Sequence, residues 1–200
     1  MSVDFKNSET KLNLLKAFAG DSQARNRYTF AAGECKKQNL HVVESIFKFT
    51  ADQEKEHAEI FYNYLKEFSG SEIEITGSYP IDITESVSEL LRYAERNENA
   101  EHDVVYRGFG DKAKEEGFEA IATTFYNIAK IEKIHGERFK CIAELMEQNK
   151  LFVNDTECAW MCLNCGHIHY GKEAPMMCPV CKHDRGYFVR LDMMPLGICE

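Results

Sequence analysis

The sequence predicts a mostly α-helical protein: a four-helix bundle with a long crossover between its second and third helices, then a small C-terminal domain built around four cysteines. Three observations predict it. Residues from about 9 to 150 are rich in Ala, Glu, Lys, Leu and Phe and hold one proline, Pro80, a composition that favours helices. The pattern Glu-Lys-x-His-x-Glu-x-Phe occurs twice, as "EKEHAEIF" at 54–61 and "EKIHGERF" at 132–139. From 157 on, helical periodicity stops, and "CLNCG" (162–166) and "CPVC" (178–181) take over.

The helices are expected at about 9–38, 40–68, 84–116 and 118–149. Asn39 and Gly117 suit the left-handed residue that ends a helix, so the first and third junctions read as tight antiparallel turns. Between helices two and three, "SGSEIEITGSYPIDIT" (69–84) is long enough for the crossover of a ferritin-like bundle. The domains are expected at 1–150 and 157–200. At an offset of 132 − 54 = 78, Tyr28 falls on Tyr106, Lys36 on Lys114, Asn39 on Gly117, Phe47 on Phe125 and Ala51 on Ala129. One helical hairpin is used twice, giving an approximate internal two-fold.

Glu and His at i and i+3 share a helix face. In helix two that face runs Val43, Phe47, Thr50, Glu54, His57, Phe61, Tyr64, Phe68; in helix four, Ile121, Phe125, Ile128, Glu132, His135, Phe139, Ile142, Met146. A stripe through Leu14, Phe18, Asp21, Arg25, Tyr28, Ala32 and Cys35 carries Asp21 inward, and one through Val87, Leu91, Ala94, Glu98, Glu101 and Val105 carries Glu98 and Glu101. Buried ionised carboxylates cost several kcal/mol each unless paired or metal-bound. A lone Glu-x-x-His is more often a surface pair; two on apolar stripes, each matched by carboxylates, predict a two-metal site of iron or manganese. The site has one carboxylate beyond the usual set, so a harder ferric ion would hold the extra Glu and a ferrous ion would more readily accept imidazole. Tyr28 and Tyr106, seven residues after Asp21 and eight after Glu98, read equally as core residues with a satisfied hydroxyl and as groups that orient ligands or guide protons.

Cys162, Cys165, Cys178 and Cys181 form two Cys-x-x-Cys knuckles, the pattern of a tetrahedral four-thiolate site that spacing alone does not assign to zinc or iron. Gly166 permits the turn after the first knuckle; Lys182 holds the equivalent place in the second. Trp160, Tyr170 and Phe188 read either as a shield for the site or simply as the core of the small domain, His167, His169 and His183 are expected to lie on the surface, and Cys35, Cys141, Cys158 and Cys199 to be ordinary thiols. A net charge of −9 argues against nucleic acid. No apolar run suits a membrane helix, and the start "MSVDFKNSET" has no export signal, so a cytoplasmic protein is expected.

The stretches "LLKAFAGDSQARNRYTFAA", "ADQEKEHA", Glu98-x-x-Glu101 and "IAKIEKIHGERF", with the double knuckle, resemble the rubrerythrin family over essentially the whole chain. The resemblance implies a ferritin-like di-iron domain followed by a rubredoxin-like iron domain, in a non-haem peroxidase that reduces hydrogen peroxide to water. Electrons would come from rubredoxin or an NAD(P)H-dependent reductase, enter at the four-cysteine iron, and cross subunits of a head-to-tail homodimer. On matching positions, Glu54 and Glu132 bridge two irons, Glu98 and His135 serve one, and Asp21 with either Glu101 or His57 serves the other. The reacting groups are then Glu54, Glu101, Glu132, Tyr28 and Tyr106. The family has Glu where this chain has Asp21, a reach shorter by roughly 1.5 Å, which predicts a more exchangeable metal there. The rival readings are a ferroxidase or iron-handling protein, and a bundle carrying a structural zinc docking module.

Overall fold

The computed structural model describes residues 3–193. Helix α1 spans Glu9–Lys37, α2 His41–Tyr64, α3 Val87–Ala100, α4 Tyr106–Glu115 and α5 Glu119–Glu147. Helix α2 ends at Tyr64, and a 3-10 turn, Lys66–Phe68, completes the stretch expected as helix to 68. The expected third helix is interrupted: Glu101–Val105 is a π-helical turn between α3 and α4, in which the Tyr106 N–H reaches back to the Glu101 carbonyl.

Local chemistry sets the ends. Ser8 caps α1 by accepting from the Lys11 N–H at 3.1 Å, and Glu116, at the far end of α4, accepts the Glu9 and Thr10 N–H groups at 2.9 Å each. A carboxylate there satisfies orphan donors and complements the helix dipole. Asn39 (φ 56°) and Gly117 (φ 92°) are both left-handed. The bonds closing the two turns, Leu40 N–H to Cys35 carbonyl at 2.9 Å and Phe118 N–H to Ala113 carbonyl at 2.8 Å, are 78 residues apart at both ends.

The internal two-fold also governs the packing. Tyr28, Phe47 and Phe139 meet at 5.1–5.9 Å between ring centres, and Tyr106, Phe125 and Phe61 at 4.9–6.0 Å. Each cluster takes two rings from one hairpin and one from the other, and the offset of 78 carries one cluster onto the other. Together they form apolar layers on either side of a polar level in the bundle. The stripes hold with one correction: Arg25 faces solvent, and Ala24, fully buried, takes the inward place. Between Asp21 and Tyr28 the period of 3.6 sets positions 24 and 25 equally far to either side of the stripe's midline, so it does not choose between them.

The C-terminal part is a three-stranded antiparallel sheet, β1 (Val153–Cys162), β2 (Ile168–Glu173) and β3 (Phe188–Arg190), in the order β2-β1-β3. β1 opens ahead of residue 157, because its polar first half is extended and paired at Val153 with Glu173. Trp160 and Phe188 are fully buried, and the Trp160 indole donates to the Gly171 carbonyl at 3.0 Å. Tyr170 is the correction here: it is 73% exposed and shields nothing. The sheet domain sits on the α1–α2 turn. A Cβ at Gly186 would stand 1.7 Å from the Asn39 carbonyl oxygen, and His41 stacks on Tyr187 at 3.9 Å. No described helix is long and apolar enough to cross a membrane.

Candidate metal centres

Six of the seven predicted bundle residues, Asp21, Glu54, His57, Glu98, Glu132 and His135, are buried, and Glu101 is partly so. Their donor atoms form overlapping groups within 4.8 Å: Glu54, Glu98, Glu132 and His135; Asp21, Glu54 and His57; Asp21, Glu54, Glu101 and Glu132. Glu54 belongs to all three, and Glu132 to two. The His135 Nδ1 lies 2.9 Å from both Glu54 Oε1 and Glu132 Oε2 and 3.2 Å from Glu98 Oε2; the His57 Nδ1 lies 3.0 Å from Glu132 Oε1.

Asp21 Oδ2, both oxygens of Glu54 and of Glu132, Glu101 Oε2 and His57 Nδ1 are buried without a hydrogen-bond partner. Orphaned polar atoms are rare in a folded interior. Seven around one point, all lone-pair donors once the imidazole is neutral, fit cations. Without metal, burial and then neighbouring carboxylates hold Asp21 and Glu54 well above the usual carboxylate range; burial and Glu54 do the same to Glu132, and burial and Glu98 push Glu101 to about 8. Burial and His135 lower His57 to about 4. Burial works against the charge on His135 too, yet Glu132 and Glu98 raise it to about 9. The metal-free site therefore keeps protons that metal displaces.

Tyr28 donates its hydroxyl hydrogen to Glu98 Oε1, and Tyr106 to Asp21 Oδ1. The hydroxyls cross between hairpins, each fixing one oxygen of a carboxylate whose other oxygen faces the site. Asp21 and Glu98 are offset by 77 residues, whereas Tyr28 and Tyr106 are offset by 78. The π-turn takes up the extra residue, so both tyrosines reach equivalent carboxylates. A one-residue insertion of this kind is the ordinary origin of a π-bulge, and seven-against-eight spacing was its sequence signal.

Sequence reasoning missed Gln53 and Arg138, and read Thr50 only as part of the inward stripe. His135 Nε2 donates to Gln53 Oε1 at 3.1 Å, and that oxygen also accepts from Arg138 Nη1 at 3.0 Å, which in turn bonds Thr50 Oγ1 at 2.9 Å. A proton on Nε2 leaves the Nδ1 lone pair free for the site. Motif adjacency, Gln53 before Glu54, hinted at it; the partner across the bundle is not readable from one helix.

The four knuckle cysteines also gather within 4.8 Å, with Sγ–Sγ separations of 3.7 Å for Cys162–Cys181 and 3.6 Å for Cys165–Cys178. A tetrahedron with bonds of ~2.3 Å has edges of roughly 3.8 Å, so a metal fits. Both turns are left-handed, Gly166 at φ 75° and Lys182 at φ 63°, and matching N–H···O bonds run from Gly166 to Cys162 at 2.8 Å and from Lys182 to Cys178 at 3.0 Å. Lys182 accepts the strain that Gly166 avoids. His167, His169 and His183 are half-buried rather than on the surface, and His183 meets Tyr187 edge-on at 4.7 Å. Cys35 is buried, Cys158 partly exposed and Cys141 exposed, all free thiols; Cys199 lies outside the described residues.

A ferritin-like bundle with a buried carboxylate–histidine centre, joined to a rubredoxin-like four-cysteine domain, defines the class. The rubrerythrin family profile matches residues 13–143, and that of the rubrerythrin rubredoxin-like domain matches 160–189. The chain belongs to the rubrerythrin family, and its cofactors are a di-iron carboxylate–histidine site and a four-cysteine iron site. It is 43% identical to rubrerythrin of Porphyromonas gingivalis, over 94% of this chain and 92% of that one. It is 38% identical to rubrerythrin of Nitratidesulfovibrio vulgaris, over 92% and 94%. Nigerythrin in its fully reduced, all-ferrous state aligns with a TM-score of 0.62 at 26% identity, over 92% of this chain and 90% of that one.

Proposed function

We propose that this chain is a peroxidase reducing hydrogen peroxide to water with electrons that enter through the four-cysteine domain. The observation that carries this reading is the surplus donor: with Asp21 and Glu54, one side of the centre offers both Glu101 and His57, a hard donor and a softer one for two oxidation states of one ion. The bound iron pair supplies the two electrons that, with two protons, convert one hydrogen peroxide to two waters. Glu54 and Glu132 would lie between the two ions, Glu98 and His135 would hold one, and Asp21 with Glu101 or His57 would hold the other. Identical ligands in oxidised and reduced crystals would remove that exchange from the account.

The remaining groups position and protect. Tyr28 and Tyr106 fix the outer oxygens of Glu98 and Asp21 and hold hydroxyl protons at the edge of the site. Burial and then nearby carboxylates raise both phenols well above their usual range, which keeps them protonated. The aromatic layers exclude bulk water, so the carboxylates act in a medium where charge is felt strongly. A one-electron carrier fused to a two-electron site suits an enzyme that must be reduced again after each turnover; oxidising ferrous iron as a substrate needs no such supply. The electron donor is a separate rubredoxin or NAD(P)H-dependent reductase, the working form is a head-to-tail homodimer, and the compartment is the cytoplasm.

The test is stopped-flow reoxidation of the anaerobically reduced protein. Peroxide reoxidises it far faster than dioxygen on this reading; the reverse order supports the ferroxidase.

A further inference from the structure

The crossover lies over the flank of the bundle, and beneath it is a cavity of about 370 Å³. Its walls run from Lys16, Tyr79 and Pro80 past Gly20 to Glu101 and Tyr106. The last two reach the metal centre: Glu101 Oε2 is a buried oxygen with no hydrogen-bond partner, and Tyr106 donates to Asp21. Gly20 sets the width. A Cβ there would stand 3.8 Å from Tyr79 Cε1 and 4.0 Å from the Tyr106 hydroxyl, so the two phenols border the space that a side chain at position 20 would fill.

Tyr79 is fastened in place. Its hydroxyl donates to the Lys16 carbonyl at 3.3 Å. Three residues on, the largely buried Asp82 accepts from Arg27 Nη1 at 2.8 Å, Asn97 Nδ2 at 2.7 Å and Arg96 Nη2 at 3.3 Å. Neighbouring Ile81 and Ile83 are 84% and 88% exposed. The segment is thus a strap tied to α1 and α3 by one carboxylate, with an aromatic ring 40% exposed at its edge.

We propose that Tyr79 is a specificity-determining residue at the mouth of the route to the buried pair, admitting hydrogen peroxide and small anions and excluding hydroperoxides with bulky organic groups. The peroxide part of this statement rests on the peroxidase reading; the size limit rests on the cavity alone. A clash built against the wrong substrate is one of the two routes to specificity.

The experiment uses iron-loaded full-length protein: wild type, Tyr79→Ala, Tyr79→Phe and Gly20→Ala. Reoxidation of reduced protein by hydrogen peroxide and by cumene hydroperoxide gives a rate ratio, and azide association with the ferric protein, followed by visible absorption, gives access without turnover. Tyr79→Ala is expected to lower the ratio by roughly tenfold or more and to speed azide association, whereas Tyr79→Phe keeps both values. Gly20→Ala, whose Cβ meets only ordinary contacts and which favours helix, is expected to slow azide. Tyr79→Leu takes the place of the alanine variant if that variant fails to load iron. An unchanged ratio together with unchanged azide rates overturns the proposal. If neither hydroperoxide outpaces dioxygen in the wild type, the peroxidase reading falls, and the azide rates still decide the role of Tyr79.

Discussion

His135 Nε2 donates to Gln53 Oε1 at 3.1 Å, and the offset of 78 places Ile131 where His57 would need the same partner. The two-fold that builds the bundle is broken at the outer bond of one histidine. His135 is locked in orientation and tautomer; His57 has no such amide partner. This asymmetry gives a physical reason for His57, and not His135, to be the exchangeable donor.

Gln53→Leu removes the acceptor and lets the His135 ring turn. Metal affinity is expected to fall by about 10- to 100-fold, as is usual when a partner of a ligating histidine is lost. Competition with a chelator measures it. Unchanged affinity would show that packing alone orients the ring.

Metal removal should make stability depend on pH in a set direction. In the metal-free fold Glu101 is raised to about 8, and Asp21, Glu54 and Glu132 are also raised, so the folded state binds more protons than the unfolded chain above about pH 4. Stability is fully present below the unfolded values and is lost as pH rises through about 8. His135, raised to about 9, extends the loss above its unfolded value of about 6.5. His57, lowered to about 4, opposes the trend only between about 4 and 6.5. Calorimetry of metal-free protein is therefore expected to show a lower melting temperature at pH 8 than at pH 6, and iron-loaded protein a smaller difference.

Much of this was legible in the chain. The repeated motif names Glu54, His57, Glu132 and His135, and helical period alone turns them inward, because a packed bundle leaves one face for the core. Asn39 and Gly117 announce the turns through backbone conformation. The π-turn was not read, although seven-against-eight spacing recorded it, since one extra residue in a helix leaves composition and stripe nearly unchanged. Arg25 was misplaced for a related reason: positions 24 and 25 both border the stripe, and packing decides between them. Gln53 and Asp82 act through partners on other elements, which periodicity does not report.

Deleting Val104, an exposed residue of the π-turn, is expected to leave a continuous α-helix with α3 and α4 in their present registers. Only Glu101 and its neighbours are re-aimed. Circular dichroism should be unchanged, while iron on the Asp21 side is held more weakly, measured as one fast-exchanging equivalent. Loss of the folded bundle instead would mean that the π-turn is needed for packing.

Asp21 presents Oδ2 to the site with Oδ1 taken by Tyr106, and its shorter arm predicts that one iron of the pair leaves first. Asp21→Glu is expected to slow that loss by roughly tenfold, a difference of about 1.4 kcal/mol. The time course of iron release to a ferrous chelator reads it, and stoichiometric iron resistant to mild chelation in the unaltered protein would refute it.

The central claim is that this interior clasps two irons around Glu54 and Glu132 while a third sits among the cysteines. Anomalous diffraction at the iron edge from crystals of the purified protein tests it most directly. Two peaks flanking the Glu54 and Glu132 carboxylates and one peak within Cys162, Cys165, Cys178 and Cys181 are predicted. No peak in the bundle, or a four-cysteine peak that appears only at the zinc edge, would contradict it.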